Sequence, residues 1–258
     1  CEHWPGCTAG NPFPQKDYHA FIEFGNRVVG AGTIALTLVA WLATRRTPGL
    51  PRWSRRLAAA VFVGALAQAP LGLLTVRVHL HPLAVMTHLL LSIAVLGGAV
   101  VVALEARGLE RGHVPPLVPR ELQKLSLAFV AACFVLVVSG TFATAAGPHS
   151  GGDHVRRYGT LSTSLIVHAA AVAVFGCTLL FSLGYLAARR ERSPRLFALG
   201  LGVAGVTILQ MGLGELQYRT HLPWWLVLVH VALAAGVWGA TVALATLFRR
   251  PLASFRPG

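Results

Sequence analysis

QAPLGLLTVRVHLHPLAVMTH runs from Gln68 to His88, and QMGLGELQYRTHLPWWLVLVH runs from Gln210 to His230. The two align without a gap: Gln68 with Gln210, Gly72 with Gly214, Arg77 with Arg219, His79 with His221 and His88 with His230, at one constant offset. The same offset carries Asn26 to His168, so the spacing from Asn26 to His88 equals that from His168 to His230. A fixed offset over such a length marks an internal duplication, and the two copies are expected to fold alike.

The copies are made of membrane-spanning material. Of 258 residues, 55% are apolar and only 12% charged, about half the charge of a soluble domain. The apolar residues form blocks of roughly 20, enough to cross a hydrocarbon core of about 30 Å as helices. Seven spans are predicted, near 21–44, 57–75, 83–104, 122–145, 160–188, 196–217 and 223–247. The fold class is therefore an all-α polytopic membrane protein.

The formal net charge of +13 is a statement about topology. Five Arg lie in segment 45–56, three in 105–121, four in 189–195 and three in the tail from Arg249. The opposite side carries only Lys16, Arg77, Arg156, Arg157 and Arg219. Basic loops stay on the cytoplasmic side. Residues 1–20, 76–82 and 146–159 are expected outside, and the C-terminus in the cytoplasm. This alternation accounts for the basic balance without a nucleic-acid partner.

With this topology the halves are parallel repeats, related by an axis along the membrane normal. Two four-helix bundles follow, an N-terminal half over 1–118 and a C-terminal half over 119–258. Completing the first bundle requires one helix ahead of Cys1, itself placed on the outer side. Cys1 and Cys7 frame CEHWPGC there, and a disulfide suits that oxidising side better than a zinc site. Cys133 and Cys177 fall inside apolar spans, where packing is the ordinary role of a thiol.

His168 lies about eight residues into its span and His230 about seven, so both sit roughly 10–12 Å below the outer surface at about 1.5 Å per residue. In an up-down bundle their helices are diagonal neighbours. Two imidazoles at equal depth facing one core suit a haem iron held from both sides. Interhelical hydrogen bonding is the plainer alternative for any one intramembrane His. A zinc site wants three or four clustered ligands, and this half offers two.

The N-terminal half departs from that pattern. Asn26 stands where His168 stands in the other half, and an amide is a poor iron ligand. The site keeps one firm ligand, His88, and leaves the opposite position open or weakly filled, as a substrate site requires. Glu23 lies one turn before Asn26 on the same face, and its counterpart is Leu165. A carboxyl in apolar surroundings can trade protons with a reacting group; alternatively it pairs with Arg27 at i+4. Arg27 could instead reach a haem propionate. Arg77 and Arg219, at matching outer helix ends, either neutralise propionates or snorkel to the interface. Gln68 and Gln210, deep in their spans, are expected to bond between helices. Pro70 should kink its helix, and Trp224 and Trp225 suit an aromatic belt.

Taken in order, CEHWPGC (1–7), IEFGNR (22–27), LGLLTVRVHLHPLAVMTHLLLS (71–92), SGTFATAAGPHS (139–150), LIVHAAAVAVFG (165–176) and LGELQYRTHLPWWLVLVH (213–230) resemble the haem A synthase, or CtaA, family, and within it the actinobacterial branch. The resemblance implies eight spans in two bundles, with haem b held by His168 and His230. It implies haem O as substrate in the N-terminal half, with Glu23 matching the essential Glu of the family's E-x-x-H motif. Asn26 departs from that motif's His and leaves His88 as the remaining ligand. Cys1 and Cys7 match the family's outer-loop Cys pair, a redox-active or structural disulfide. The implied reaction oxidises the C8 methyl of haem O to a formyl group by successive hydroxylations, for terminal oxidase assembly. Membrane lipid, an electron donor, and haem O synthase or oxidase assembly factors are the implied partners. Two other functions fit the same helices: a cytochrome b-type electron carrier working with quinone, and a haem-handling transport protein. The first gives Glu23 no role, and the second predicts haem exchange without electron input.

Overall fold

A computed structural model describes residue 13 and residues 18–148 and 159–255. Among these residues there are seven long helices: α1 (Tyr18–Arg46), α2 (Arg52–Arg77), α3 (Pro82–Arg111), α4 (Arg120–Ala146), α5 (Leu161–Ala188), α6 (Pro194–Arg219) and α7 (Trp224–Arg249), followed by a 3₁₀ turn at Ala253–Phe255. All seven are long and apolar enough to cross a membrane. The chain is a multi-pass membrane protein, as its composition predicts. Every helix but α5 extends past its predicted apolar core at one end or both, because flanking polar residues continue the helix. Arg ends α1, α2, α3, α6 and α7, where a cation complements the helix dipole. Pro opens α3 and α6 at the one position where its missing N–H costs nothing. Thr160 caps α5, its side chain accepting from the Thr163 N–H at 3.2 Å. α2 continues as one helix through Pro70.

The duplication is visible in the backbone. The offset that aligns the two sequence copies carries both bounds of α2 onto those of α6, and the start of α3 onto the start of α7. The outer turns match as well. His79 and Leu80 adopt φ of 54° and 57°, and His221 and Leu222 adopt 63° and 57°. Both turns close with the same bond, from Leu80 N to Thr75 O at 2.9 Å and from Leu222 N to Gln217 O at 2.7 Å. Two consecutive non-glycine residues in the left-handed region cost of order 1–3 kcal/mol each, so the surrounding helices must hold the turn in both halves.

Packing differs between the halves. α4, α5, α6 and α7 close into a ring, each touching the next and α7 touching α4. α2 packs against both α1 and α3, whose backbones do not approach each other closely among the described residues. Trp41 and Phe62 stack at 5.4 Å where α1 meets α2. α4 has no counterpart among the described residues.

α3 joins the ring through α7 and α4. The Trp238 indole N–H donates to the Ile93 carbonyl at 2.8 Å. Gly97 permits this approach, because a Cβ there would sit 3.0 Å from Trp238 Nε1. At the predicted cytoplasmic ends, Glu105 is buried and bonds Arg250 at 2.9 Å, with His113 at 3.5 Å. Arg250 also lies over the Trp53 ring at 5.5 Å. The chain after α7 pairs with the α3–α4 connection through Val114 N to Pro251 O and Ala253 N to Gly112 O. This clasp ties α2, α3 and the tail together. Cys133 is fully buried, whereas Cys177 is exposed. Cys1 and Cys7 lie outside the described residues.

Candidate functional site: a two-histidine cavity

The ring of α4 to α7, with Leu89 and Ile93 of α3, lines a cavity of about 760 Å³. It runs from Pro148 and Leu222 at one end of the helices to Cys133 and Val237. Below it Phe129 and Phe175 stack at 5.2 Å, both fully buried, and close the inner end. The walls are mostly aliphatic. His168 on α5 and His230 on α7 both line it.

Each imidazole is seated against a glycine of the neighbouring helix. A Cβ at Gly140 would lie 3.1 Å from His168 Cε1, and one at Gly214 would lie 3.1 Å from His230 Cε1. In the N-terminal half Gly72 faces His88 in the same way, more loosely, at 3.5 Å. The glutamines complete the repeat. Gln210 Nε2 donates to the His230 carbonyl at 2.8 Å and Gln68 Nε2 to the His88 carbonyl at 3.1 Å. Each Gln precedes its Gly by one helical turn, hence on one helix face. The same face thus holds the histidine's backbone and leaves room for its ring. Gln68 also bonds Ser92 Oγ at 2.7 Å; the equivalent position is Ala234. The glutamines therefore bond between helices as expected. Sequence reasoning misses the glycine seats, although both copies carry Q-x-x-x-G ahead of the His at the same spacing.

The remaining predicted residues fall as follows. Glu23 is half-buried and ion-paired with Arg27 on the next turn of α1, so the plainer of its two readings is realised in this state. Asn26 is exposed. Neither Asn26 nor His88 lines the cavity that His168 and His230 share. Arg219 is exposed and bonds Glu215 at 2.5 Å, and Glu215 lines the cavity. Arg77 is exposed at the end of α2, and the position matching Glu215 is Leu73. Glu215 escapes a reading built on the repeat because it has no partner there.

The cavity suits the haem b that the resemblance implies. Its volume is that of a site for a large ligand, and its walls are apolar with few polar groups. Two imidazoles face one space, and the His230 Nδ1 is buried without a hydrogen-bonding partner. No cluster of three or more His, Cys, Asp or Glu that could hold a bare metal ion occurs among the described residues. His168 and His230 are the residues that would hold the haem iron.

Fold and site together define a helical multi-pass membrane protein with an intramembrane two-histidine pocket. The chain belongs to the COX15-CtaA family of cytochrome oxidase assembly proteins, whose model matches residues 3–149. It is also 26% identical to the heme A synthase of Shewanella oneidensis, over 96% of this chain and 85% of that protein.

Proposed function

We propose that this chain is a haem A synthase, with haem O as its substrate and haem b as its cofactor. The observation that carries this reading is the pair His168 and His230, each seated on a glycine, lining one apolar cavity. The N-terminal half repeats the His88 arrangement and replaces the other ligand with Asn26. Bound haem b would supply one-electron chemistry. The chain's residues do the rest. His168 and His230 hold the cofactor, and the Phe129–Phe175 pair closes its pocket from below. His88 positions the substrate iron, and the Asn26 side leaves access.

Converting the C8 methyl to a formyl group is a four-electron oxidation with a net gain of one oxygen atom; an oxidant from outside the chain takes the electrons, and the oxygen atom also comes from outside the chain. Two hydroxylations give a gem-diol, which loses water. Glu23 shuttles protons or stabilises charge beside that methyl, once its pairing with Arg27 opens. Arg27 is then free to reach a propionate, and Arg77 and Arg219 stand at the outer ends where the others would lie. The product serves terminal oxidase assembly. The C-terminus is cytoplasmic, by the distribution of arginine. A Cys1–Cys7 disulfide belongs to the outer side of the substrate half.

The test is to express the protein with a supply of haem O, extract the haems and separate them by mass. Haem B with haem O and its hydroxylated or formylated product is the expected result. Haem B alone, with haem O available, would leave a cytochrome b-type electron carrier.

A further inference from the structure

The two pocket histidines are not held alike. His230 is fixed through its backbone by Gln210, and its Nδ1 has no partner among the described residues. His168 is held through its ring. Ser139 Oγ on α4 lies 2.9 Å from His168 Nδ1. The same hydroxyl lies 2.8 Å from the Leu136 carbonyl, one turn earlier on its own helix. The Leu136 carbonyl can only accept, and it faces both this hydroxyl and the His168 ring, so the single hydroxyl proton goes to Leu136. The Ser139 oxygen then has only lone pairs to offer the imidazole, and Nδ1 must carry the proton. Ser139 is 4% exposed, so water does not compete for this bond. Gly140, the next residue, lets the ring come this close.

We propose that Ser139 is a positioning residue for His168, setting the Nδ1–H tautomer so that Nε2 presents its lone pair to the cavity. This rests on the reading of the cavity as a haem site and adds an order to it. His168 is the ligand set in advance, by a hydroxyl whose own proton is already committed. His230 keeps its ring free to settle on the ligand. Hydrogen bonding at the far nitrogen fixes a ligand's tautomer and orientation and raises its basicity. A more basic ligand favours the oxidised iron, so Ser139 lowers the potential at which the bound iron is reduced. Asn26 stands in place of His168 in the other half, so this device belongs to the C-terminal half.

The experiment compares the full chain with Ser139→Ala and Ser139→Thr. In haem-free protein, ¹⁵N spectra of His168 should show the Nδ1–H tautomer in the wild type and the Thr variant, and a tautomer mixture in the Ala variant. In haem-loaded protein, the midpoint potential should rise in the Ala variant and return towards wild type with Thr, with matching changes in the low-spin EPR signal. Loss of haem from the Ala variant with retention by Thr also supports the role. An unchanged potential and EPR signal in a loaded Ala variant would overturn it, as would haem loss from both variants or an Nε2–H tautomer in the wild type. A wild-type chain that takes up no haem would defeat the synthase reading, while the ¹⁵N spectra would still decide the tautomer.

Discussion

Gln210 on α6 donates through Nε2 to the backbone carbonyl of His230 on α7 at 2.8 Å. Gln68 does the same for His88 in the other copy of the repeat. A hydrogen bond between membrane helices contributes about 0.6 kcal/mol on average. Gln210→Leu should therefore lower the Tm in detergent only slightly. The effect on haem should be larger, because residues that orient a metal ligand typically change affinity about 10–100-fold. A haem titration of the variant, set beside its melting curve, separates the two.

The glycine seats make a graded prediction. Gly140→Ala and Gly214→Ala each place a Cβ 3.1 Å from an imidazole carbon, so the ring must shift. Overpacking of this kind costs roughly 1–3 kcal/mol, and haem content should fall about tenfold or more. Gly72→Ala meets His88 at 3.5 Å, an ordinary contact, and should be tolerated. Haem-to-protein ratios of the three purified variants check the order.

Glu23→Gln should abolish formation of oxidised haem O while leaving haem b bound. The Glu23–Arg27 pair is a single-turn contact on one helix, worth about 0.3–0.5 kcal/mol at most. A lost product with an almost unchanged Tm would assign the effect to chemistry. Retained product in Glu23→Gln would remove Glu23 from the reaction.

The two halves should separate by mutation. His168→Ala or His230→Ala should remove the low-spin haem b spectrum. His88→Ala should keep that spectrum and lose retention of haem O. Optical spectra and haem extraction read both outcomes on the same samples.

Glu105→Ala should destabilise the fold without touching either pocket. Glu105 is 4% exposed and paired with Arg250 and His113. Removing one partner of a buried pair costs about 3–5 kcal/mol; with Arg250 40% exposed, roughly 2–3 kcal/mol is expected. Thermal unfolding should report the loss, and haem spectra of the folded fraction should be unchanged.

Seven spans, the parallel duplication and the histidines at matching depth were legible in the chain alone. Lipid forces every span to satisfy its own backbone as a helix, so length and hydropathy decide the elements, and a gapless repeat decides their correspondence. The constant offset even carries over to the left-handed turns at His79–Leu80 and His221–Leu222. The tertiary structure alone showed that His168 and His230 line one cavity. It alone placed Glu23 on Arg27, Arg219 on Glu215, and Ser139 on the His168 ring. These contacts depend on which helices lie side by side. Ser139 on α4 meets His168 on α5 across the whole outer connection, and Trp238 on α7 reaches back to Ile93 on α3. Periodicity along one helix carries no information about a neighbour's face, because apolar packing is non-directional until polar and small residues lock one arrangement.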